Sequence, residues 1–243
     1  MKIFLAGTAA FRDIVEKKPP IFLLESFYYV KDWQISIIKS ARDFLCDSGA
    51  FTFMQNAGNK VDWNEYAKKY ADFINKYDIK KYIELDLDYI IGCDKAYELR
   101  QYLEQRTGKK SIPVWHPIRG VDNFYQMCED YDYVALGGIV GKRWQGLEQY
   151  MPWFINEAHK RGAKIHGLGF TKTSKFNEIR FDSVDSTTWT MGGRMGNLCY
   201  FNGSGMRQYY PSLHGQKPKD INKINEYNYS QWLLFQKWAA VNL

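Results

Sequence analysis

Residues 133–168 read YVALGGIVGKRWQGLEQYMPWFINEAHKRGAKIHGL, and this stretch decides the fold. A short apolar run at Tyr133–Leu136 predicts a buried strand, and the amphipathic segment Leu147–Arg161 predicts a helix. Gly162 directly follows a run of basic residues, which is typical of a helix end. A second apolar run at Lys164–Leu168 predicts another strand. A strand, a helix and a strand in this order indicate a parallel sheet.

The same alternation extends over most of the chain, and the apolar start at residues 1–11 fits a first strand. Further strands are predicted at Phe44–Cys46, Tyr82–Leu87, Ile112–Trp115 and Phe181–Val184. Further helices are predicted at Trp63–Lys76, with Asp62 as its N-cap, and at Asp94–Gln105, Val121–Tyr131 and Ser174–Ile179.

Repeated β-α units without a GxGxxG turn favour a closed TIM-type (β/α)8 barrel, regular or irregular, over a Rossmann sheet. Residues 190–218 are Gly-rich and are expected to be irregular. A C-terminal helical extension is predicted over about residues 219–243, where it would cap or wrap the barrel. The fold class is therefore α/β, with residues 1–243 forming a single domain.

Composition and charge restrict the partners of the chain. The net charge is +6, which favours polyanionic partners such as nucleic acid, although the charge is spread along the chain. The Cys residues lie far apart without zinc spacing, so we predict no metal and no cofactor. No apolar stretch approaches the roughly 20 residues that span a bilayer, and we expect a cytoplasmic protein.

Polar residues follow the predicted strands, at the edge where the active sites of β/α barrels lie. They are Asp47-Ser48-Gly49, Asp86-Leu87-Asp88, His116-Pro117, Gly137-Gly138, His166-Gly167-Leu168-Gly169 and Asp182-Ser183-Val184-Asp185-Ser186. Carboxylates at one rim can act as nucleophile, general base or hydrogen-bond acceptor. They can also bind Mg²⁺ or cap the following turn, and the residues alone leave these alternatives open.

These segments, in this order, resemble the tRNA-guanine transglycosylase (queuine and archaeosine tRNA-ribosyltransferase) superfamily. Residues 47–51 (DSGAF) are similar to its DSGGF/Y box, and residues 166–169 (HGLG) to its H-L-x-G segment. Residues 182–186 (DSVDS) resemble its nucleophile motif, with the same spacing between the two aspartates. The match covers about residues 44–196 and depends on short boxes. The resemblance implies a pentosyltransferase that replaces guanine with a 7-deazaguanine through a covalent Asp-sugar intermediate.

The resemblance also implies roles for individual residues. Asp185 would be the nucleophile and Asp47 the second catalytic carboxylate. The base would be recognised by Asp86, or by Asp88 if the register differs, and by Ser48, Phe51, Gly137, Gly138, Ile139, Leu168 and Arg119. Phosphate contacts would come from Lys142, Arg143, Lys172 and Arg194.

Two departures from the family pattern affect the expected substrate. Arg119 stands where the family carries Gln, which leaves the identity of the incoming base open. The C-terminal region has no zinc ligand set, so we expect DNA rather than tRNA as substrate, as in the phage and bacterial enzymes that insert 7-deazaguanines into DNA. The alternatives are a reduced tRNA enzyme, a metal-dependent hydrolase and a non-catalytic nucleic-acid-binding relative. A homodimer also stays open.

Overall fold

The protein is described from a computed structural model, which covers residues 1–50, 52, 61–139, 148–191, 196–211 and 220–243. Its strands are β1 (Lys2–Leu5), β2 (Phe22–Ser26), β3 (Asp43–Asp47), β4 (Val114–Trp115), β5 (Tyr133–Leu136), β6 (Lys164–Gly167), β7 (Ser183–Ser186), β8 (Leu198–Phe201) and β9 (Met206–Tyr209). Its α-helices are α1 (Arg12–Lys17), α2 (Gln34–Ser40), α3 (Trp63–Lys76), α4 (Asp88–Ile91), α5 (Cys93–Thr107), α6 (Gly120–Asp130), α7 (Met151–Lys160) and α8 (Ile221–Asn242).

The first seven strands form one parallel sheet in the order β3-β2-β1-β7-β6-β5-β4. Two isolated parallel bridges, Cys46 to Tyr82 and Ile83 to Ile112, join its two edges. The Cys46 N–H donates to the Lys81 carbonyl at 3.0 Å, and the Ile112 N–H donates to the Tyr82 carbonyl at 2.8 Å. The segment around Tyr82 therefore occupies the eighth position, and the sheet curls into a ring. The predicted α/β barrel is confirmed.

Two apolar layers stabilise this ring, one inside it and one between the strands and the helices. The inner layer comprises Phe4, Ala6, Phe22, Leu24, Leu45, Ile83, Ile112, Val114 and Ala135. The outer layer buries the opposite face of each strand against the helices, for example Leu5, Leu23 and Val134 against Ile37, Phe124 and Phe154. Because successive strand residues point to opposite faces, the apolar runs fill both layers.

Several local predictions are confirmed. Asp62 caps α3, since its Oδ1 accepts hydrogen bonds from the backbone N–H groups of Asn64 and Glu65 at 3.0 and 3.1 Å. Gly162 follows α7 with a φ of +81°, a backbone conformation that favours glycine. The C-terminal helix α8 is present. No helix among the described residues is both long and apolar enough to cross a membrane.

Other local predictions are wrong. Helices α1 and α2 were not expected. Strand β2 was not expected either, because its five-residue run follows two prolines and contains the ionisable Glu25. The predicted strand Tyr82–Leu87 is not a regular strand; this segment pairs only through the two isolated bridges at Tyr82 and Ile83. The predicted helix Ser174–Ile179 is a 3-10 turn at Thr173–Lys175. Strand β7 begins two residues later than predicted, at Ser183.

The region expected to be irregular contains the antiparallel hairpin β8–β9. Its turn is held by Asn202, whose Oδ1 accepts hydrogen bonds from the backbone N–H groups of Ser204 and Gly205 at 3.1 and 3.0 Å. The hairpin is attached to α8, since the Cys199 N–H donates to Asn228 Oδ1 at 2.7 Å. The hairpin is therefore specified by these side-chain contacts rather than by an alternation of apolar and polar residues.

Helix α8 closes the end of the barrel at which the strands begin. Gln236, which is fully buried, donates from Nε2 to the carbonyls of Ile3 and Phe22, each at 2.7 Å. Its Oε1 accepts from the Ile21 N–H at 3.0 Å. One side chain of the last helix therefore pairs with backbone groups of the first two strands.

Replacing Gln236 with Leu is expected to lower the free energy of unfolding by about 2–4 kcal/mol, because buried backbone groups lose their hydrogen-bond partner. Urea denaturation of the variant measures this loss. Lys237→Leu, which changes the exposed neighbour of Gln236, is the control and should leave the midpoint nearly unchanged. Equal stability of the two variants would contradict the role of Gln236.

Candidate active site

A cavity of about 540 Å³ opens at the end of the barrel where the strands finish. Residues at the ends of six barrel strands and of the Tyr82 segment line it, which is the usual position of an active site in this fold. They are Ala6, Gly7, Ala9 and Ala10 after β1, Leu24, Glu25, Ser26 and Tyr29 from β2, Asp47, Gly49 and Thr52 from β3, Asp86, then Gly138 after β5, Leu168 and Gly169 after β6, and Asp185 and Thr187 from β7.

Asp47 ends β3 and is half-buried in the cavity wall. Its Oδ2 accepts a hydrogen bond from the Gly49 N–H at 3.0 Å. Gly49 has a φ of +78°, and a Cβ there would lie 2.5 Å from Ser26 Oγ, so this turn requires glycine. Burial, together with the charges of Asp185 and Asp86, outweighs that hydrogen bond and raises the pKa of Asp47 to about 7.

Asp185 lies on β7 and is held by two donors that reach the same oxygen. Its Oδ1 accepts from the Gly169 N–H at 2.6 Å and faces His166 Nε2 at 3.2 Å. Both of these donors reach Oδ1, no residue in the described part of the chain donates to Oδ2, and the carboxylate is 13% exposed. This oxygen is therefore the one left for a bound molecule.

Asp86 is the third carboxylate of the cavity, and it also has a buried histidine partner. Its Oδ1 lies 2.5 Å from His116 Nε2. A Cβ at Gly137 would lie 2.4 Å from His116 Cε1, so the absence of a side chain at Gly137 leaves room for this imidazole. Asp86 and Asp185 thus face the cavity with a histidine behind each of them.

Glu25 is a fourth cavity carboxylate, and it was not among the site residues predicted from the sequence. It is 2% exposed, and its Oε1 accepts from the Thr8 N–H at 2.9 Å and from the Thr8 hydroxyl. Burial raises the pKa of Glu25 to about 7, against the hydrogen bonds from Thr8 and Gln34. The one feature of the sequence that could have indicated Glu25 is its position as a single ionisable residue inside the apolar run of β2.

Asp88 and Arg119 bind each other and do not line the cavity. Arg119 donates from Nε and NH2 to the two carboxylate oxygens of Asp88 at 2.5 and 2.6 Å. It also donates to Glu84 Oε1 at 3.3 Å. Burial raises the pKa of Glu84, although the positive charges of Arg119 and Arg100 act in the opposite direction. Of the two acids expected to read a base, Asp86 is the one that faces the cavity.

The remaining sequence-predicted residues occupy varied positions. Gly138 and Leu168 line the cavity, while Ser48 is fully buried and Ile139 packs against the outer apolar layer. Lys172 is exposed and forms an ion pair with Glu148. Phe51, Lys142, Arg143 and Arg194 lie outside the described residues. Within the described ranges, no group of three His, Cys, Asp or Glu side chains is placed to hold a metal ion.

Comparisons with known proteins return similar folds but no family. No family model and no curated protein matches the chain. A solved structure assigned as a fructose-1,6-biphosphate aldolase from Coccidioides immitis matches 98% of this chain and 87% of its own, with a TM-score of 0.51 and 11% identity. The aldolase QR15 matches 77% of this chain and 89% of its own, with a TM-score of 0.49 and 12% identity. The HpcH/HpaI aldolase from Desulfitobacterium hafniense matches 79% and 91%, with a TM-score of 0.45 and 8% identity.

These findings contradict the assignment to the tRNA-guanine transglycosylases. The solved structure that matches with a TM-score of 0.51 is named as an aldolase, and no family model matches the chain. The predicted pentosyltransferase activity, with exchange of guanine for a 7-deazaguanine in DNA, is wrong on the same ground. At 11% identity the C. immitis structure shows the barrel fold alone. The nucleic-acid partner and the homodimer stay predictions.

Replacing Asp47 with Asn is expected to stabilise the protein at about pH 8 relative to wild type. Because the pKa of Asp47 is raised from 3.8 to about 7, the folded state binds the proton more tightly than the unfolded chain. The stability from this group is present at low pH and is lost as the pH rises to about 7, whereas Asn remains neutral throughout.

Urea denaturation at about pH 5 and about pH 8 tests this expectation, with exposed Asp132→Asn as the matched control. The advantage of Asp47→Asn over wild type should be larger at the higher pH. An advantage that is the same at both values would show that Asp47 does not carry a raised pKa.

Proposed function

We propose that the chain is an enzyme in which Asp47 and Asp185 act as an acid–base pair on a small organic molecule, and that the reaction is an aldol-type cleavage or formation of a carbon–carbon bond. The observation that carries the proposal is the contrast between the two carboxyl groups in one cavity. The pKa of Asp47 is raised to about 7, so a fraction of this group carries a proton up to neutral pH, while two N–H donors face the same oxygen of Asp185. Two carboxyl groups in such different environments are suited to opposite roles in proton transfer.

The two proton transfers of an aldol cleavage can be assigned to these groups. Asp185 Oδ2 removes the proton of the substrate's β-hydroxyl group, and the carbon–carbon bond breaks as that oxygen becomes a carbonyl. The electron pair of the broken bond forms an enol, whose oxygen receives the proton of the Asp47 carboxylic acid. The aldehyde leaves, Asp185 returns its proton to the enol carbon, and the enol O–H returns its proton to Asp47. Both carboxyl groups regain their starting states.

The lining of the cavity indicates the substrate class. A volume of about 540 Å³ is typical of sites for small molecules. Glu25, Asp47, Asp86 and Asp185 all contribute carboxyl oxygens, which accept hydrogen bonds from hydroxyl or amino groups and repel phosphates. We therefore propose an uncharged or amine-bearing polyhydroxy carbonyl compound as substrate, in contrast to the bisphosphate in the name of the C. immitis aldolase.

The barrel fold supports this proposal only by analogy. An aldolase name on a protein of the same fold is the reason to test carbon–carbon cleavage first. The fold itself hosts many reactions, and the acid–base pair of Asp47 and Asp185 is what favours this one.

Release of aldehyde from a panel of unphosphorylated β-hydroxy carbonyl compounds, followed with an aldehyde-trapping reagent, is the direct test. Wild type should turn over at least one of them. Asp185→Asn and Asp47→Asn should each lower kcat about 100-fold to 10,000-fold, because each removes a proton-transfer group. Asp132→Asn, the same change at an exposed position, should retain full activity.

Either of two results would overturn the proposal. One is aldehyde release that is unchanged in both cavity variants. The other is turnover by wild type of substrates of a different reaction class, with no cleavage of any β-hydroxy carbonyl compound.

The pH dependence of kcat/KM gives a second test. Because Asp47 must be protonated to act as the acid, the rate should fall as the pH rises through about 7. In Asp47→Asn this descending limb should be absent from the residual rate. A limb that persists in the variant would assign the titration to another group.

A further inference from the structure

A line of polar side chains crosses the inside of the barrel beside its apolar layer and ends at Asp185. Tyr133 and Ser183 are joined through their hydroxyl groups, and Ser183 Oγ lies 2.5 Å from His166 Nδ1. The opposite ring nitrogen of His166 faces Asp185 Oδ1 at 3.2 Å. Ser183 and His166 are completely buried, and the Phe4 ring packs against the imidazole with centroids 6.1 Å apart.

The chemistry of the end groups determines the direction of these hydrogen bonds. An ionised Asp185 can only accept, so His166 Nε2 carries the proton and donates it to the carboxylate. The bare Nδ1 then accepts from the Ser183 hydroxyl, and Ser183 accepts from the Tyr133 hydroxyl. With a neutral His166, each of these groups has a partner. The network therefore selects the Nε2–H form of the imidazole.

The hydrogen bond from His166 reaches one carboxylate oxygen of Asp185, Oδ1, and the other oxygen, Oδ2, faces the cavity. His166 Nε2 and the Gly169 N–H both face Oδ1, from the barrel interior and from the loop after β6. Two donors on one oxygen fix the orientation of the carboxylate plane. Oδ2 is then presented to a bound molecule without a change of side-chain rotamer.

The second histidine of the cavity lacks this arrangement. His116 also faces a carboxylate, Asp86, but its Nδ1 is buried without a hydrogen-bond partner among the described residues. A hydrogen bond therefore constrains only one ring nitrogen of His116, whereas both ring nitrogens of His166 have a partner. A buried polar line is costlier than apolar residues of the same volume, so its presence calls for a role beyond packing.

We infer that His166 is the positioning residue of Asp185: held in its Nε2–H form by Ser183 and Tyr133, it orients the carboxylate so that Oδ2 acts on the substrate. This inference rests on the proposed role of Asp185, but the form of the imidazole and its bond to Asp185 are properties of the free protein. They can be tested without turnover.

The first experiment is NMR of the full chain labelled with ¹⁵N at histidine, near neutral pH. His166→Gln assigns the resonances of His166. They should show a neutral ring protonated at Nε2, and Asp185→Asn should shift its Nε2 signal, because the acceptor changes from a charged carboxylate to an amide. His159→Gln is the matched control, since His159 also pairs with an aspartate, Asp182, at 2.9 Å, but on the protein surface.

The expected control result is that His159→Gln leaves the signals of His166 in place. A ring protonated at Nδ1, or a His166 signal that does not respond to Asp185→Asn, would overturn the inference whether or not a substrate is known. Ser183→Ala provides an independent check. It removes the donor to Nδ1, so the Nδ1 signal of His166 should shift while the proton stays on Nε2, the nitrogen that faces Asp185.

The second experiment separates positioning from packing through kinetics. His166→Leu fills the buried position with an apolar side chain but removes the donor, and it should lower kcat about tenfold to a hundredfold with little change in KM. His166→Gln can donate to Asp185 through its amide N–H and accept from Ser183 through its carbonyl, so it should restore most of that loss. Equal loss in both variants, with both folded by circular dichroism, would indicate a merely structural residue.

The two experiments distinguish the possible failures. If the NMR result holds and no aldol substrate is turned over, the proposed reaction is wrong and the positioning of Asp185 stands. If turnover is found and depends on Asp185 but not on His166, the reaction stands and the inference about His166 fails.

Discussion

The pairing of the short segment around Tyr82 with both edges of the sheet is the constraint on which the rest of the structure depends. Backbone hydrogen bonds join Cys46 to this segment and the segment to Ile112 in the two bridges. They turn a seven-stranded sheet into a ring, and they bring Asp86 to the rim between Asp47 and His116. Without this closure the carboxylates would lie along an open edge, and their charges would not share one cavity.

Burial, together with the negative charge of its neighbours at the rim, raises the pKa of Asp47. Each additional carboxylate in a shared, partly dehydrated cavity makes ionisation of its neighbours less favourable. The hydrogen-bond donors are distributed unequally over these carboxyl groups. Asp185 and Asp86 each have a histidine, Glu25 has Thr8, and Asp47 has the Gly49 backbone N–H; the pKa values of Glu25 and Asp47 are both raised to about 7. The division between acid and base in the proposed reaction follows from this distribution of donors.

Much of the barrel and three of its cavity carboxylates could be predicted from the sequence, because parallel strands bring their ends to one rim. Glu25 could not, since a charge inside a short apolar run is normally taken as the end of a strand. The partnership of Asp88 with Arg119 depends on a close approach of the start of α4 to the short 3-10 turn after β4, which no local pattern encodes. The family resemblance was misleading because turn geometry alone accounts for some of its residues: Asp47 accepts from the Gly49 N–H, and Gly137 leaves room for His116.

The contact of Gln236 with the first two strands has a consequence for how the chain acquires its structure. Its partners Ile3 and Phe22 lie 233 and 214 residues earlier in the sequence. Contacts over such separations carry a large entropy of loop closure and form slowly. During synthesis, the backbone groups at the start of β1 and β2 therefore remain incompletely paired until helix α8 has been made. Until then they expose strand backbone, so a ribosome-bound chain stalled before residue 236 should depend on chaperones more than the full-length chain does.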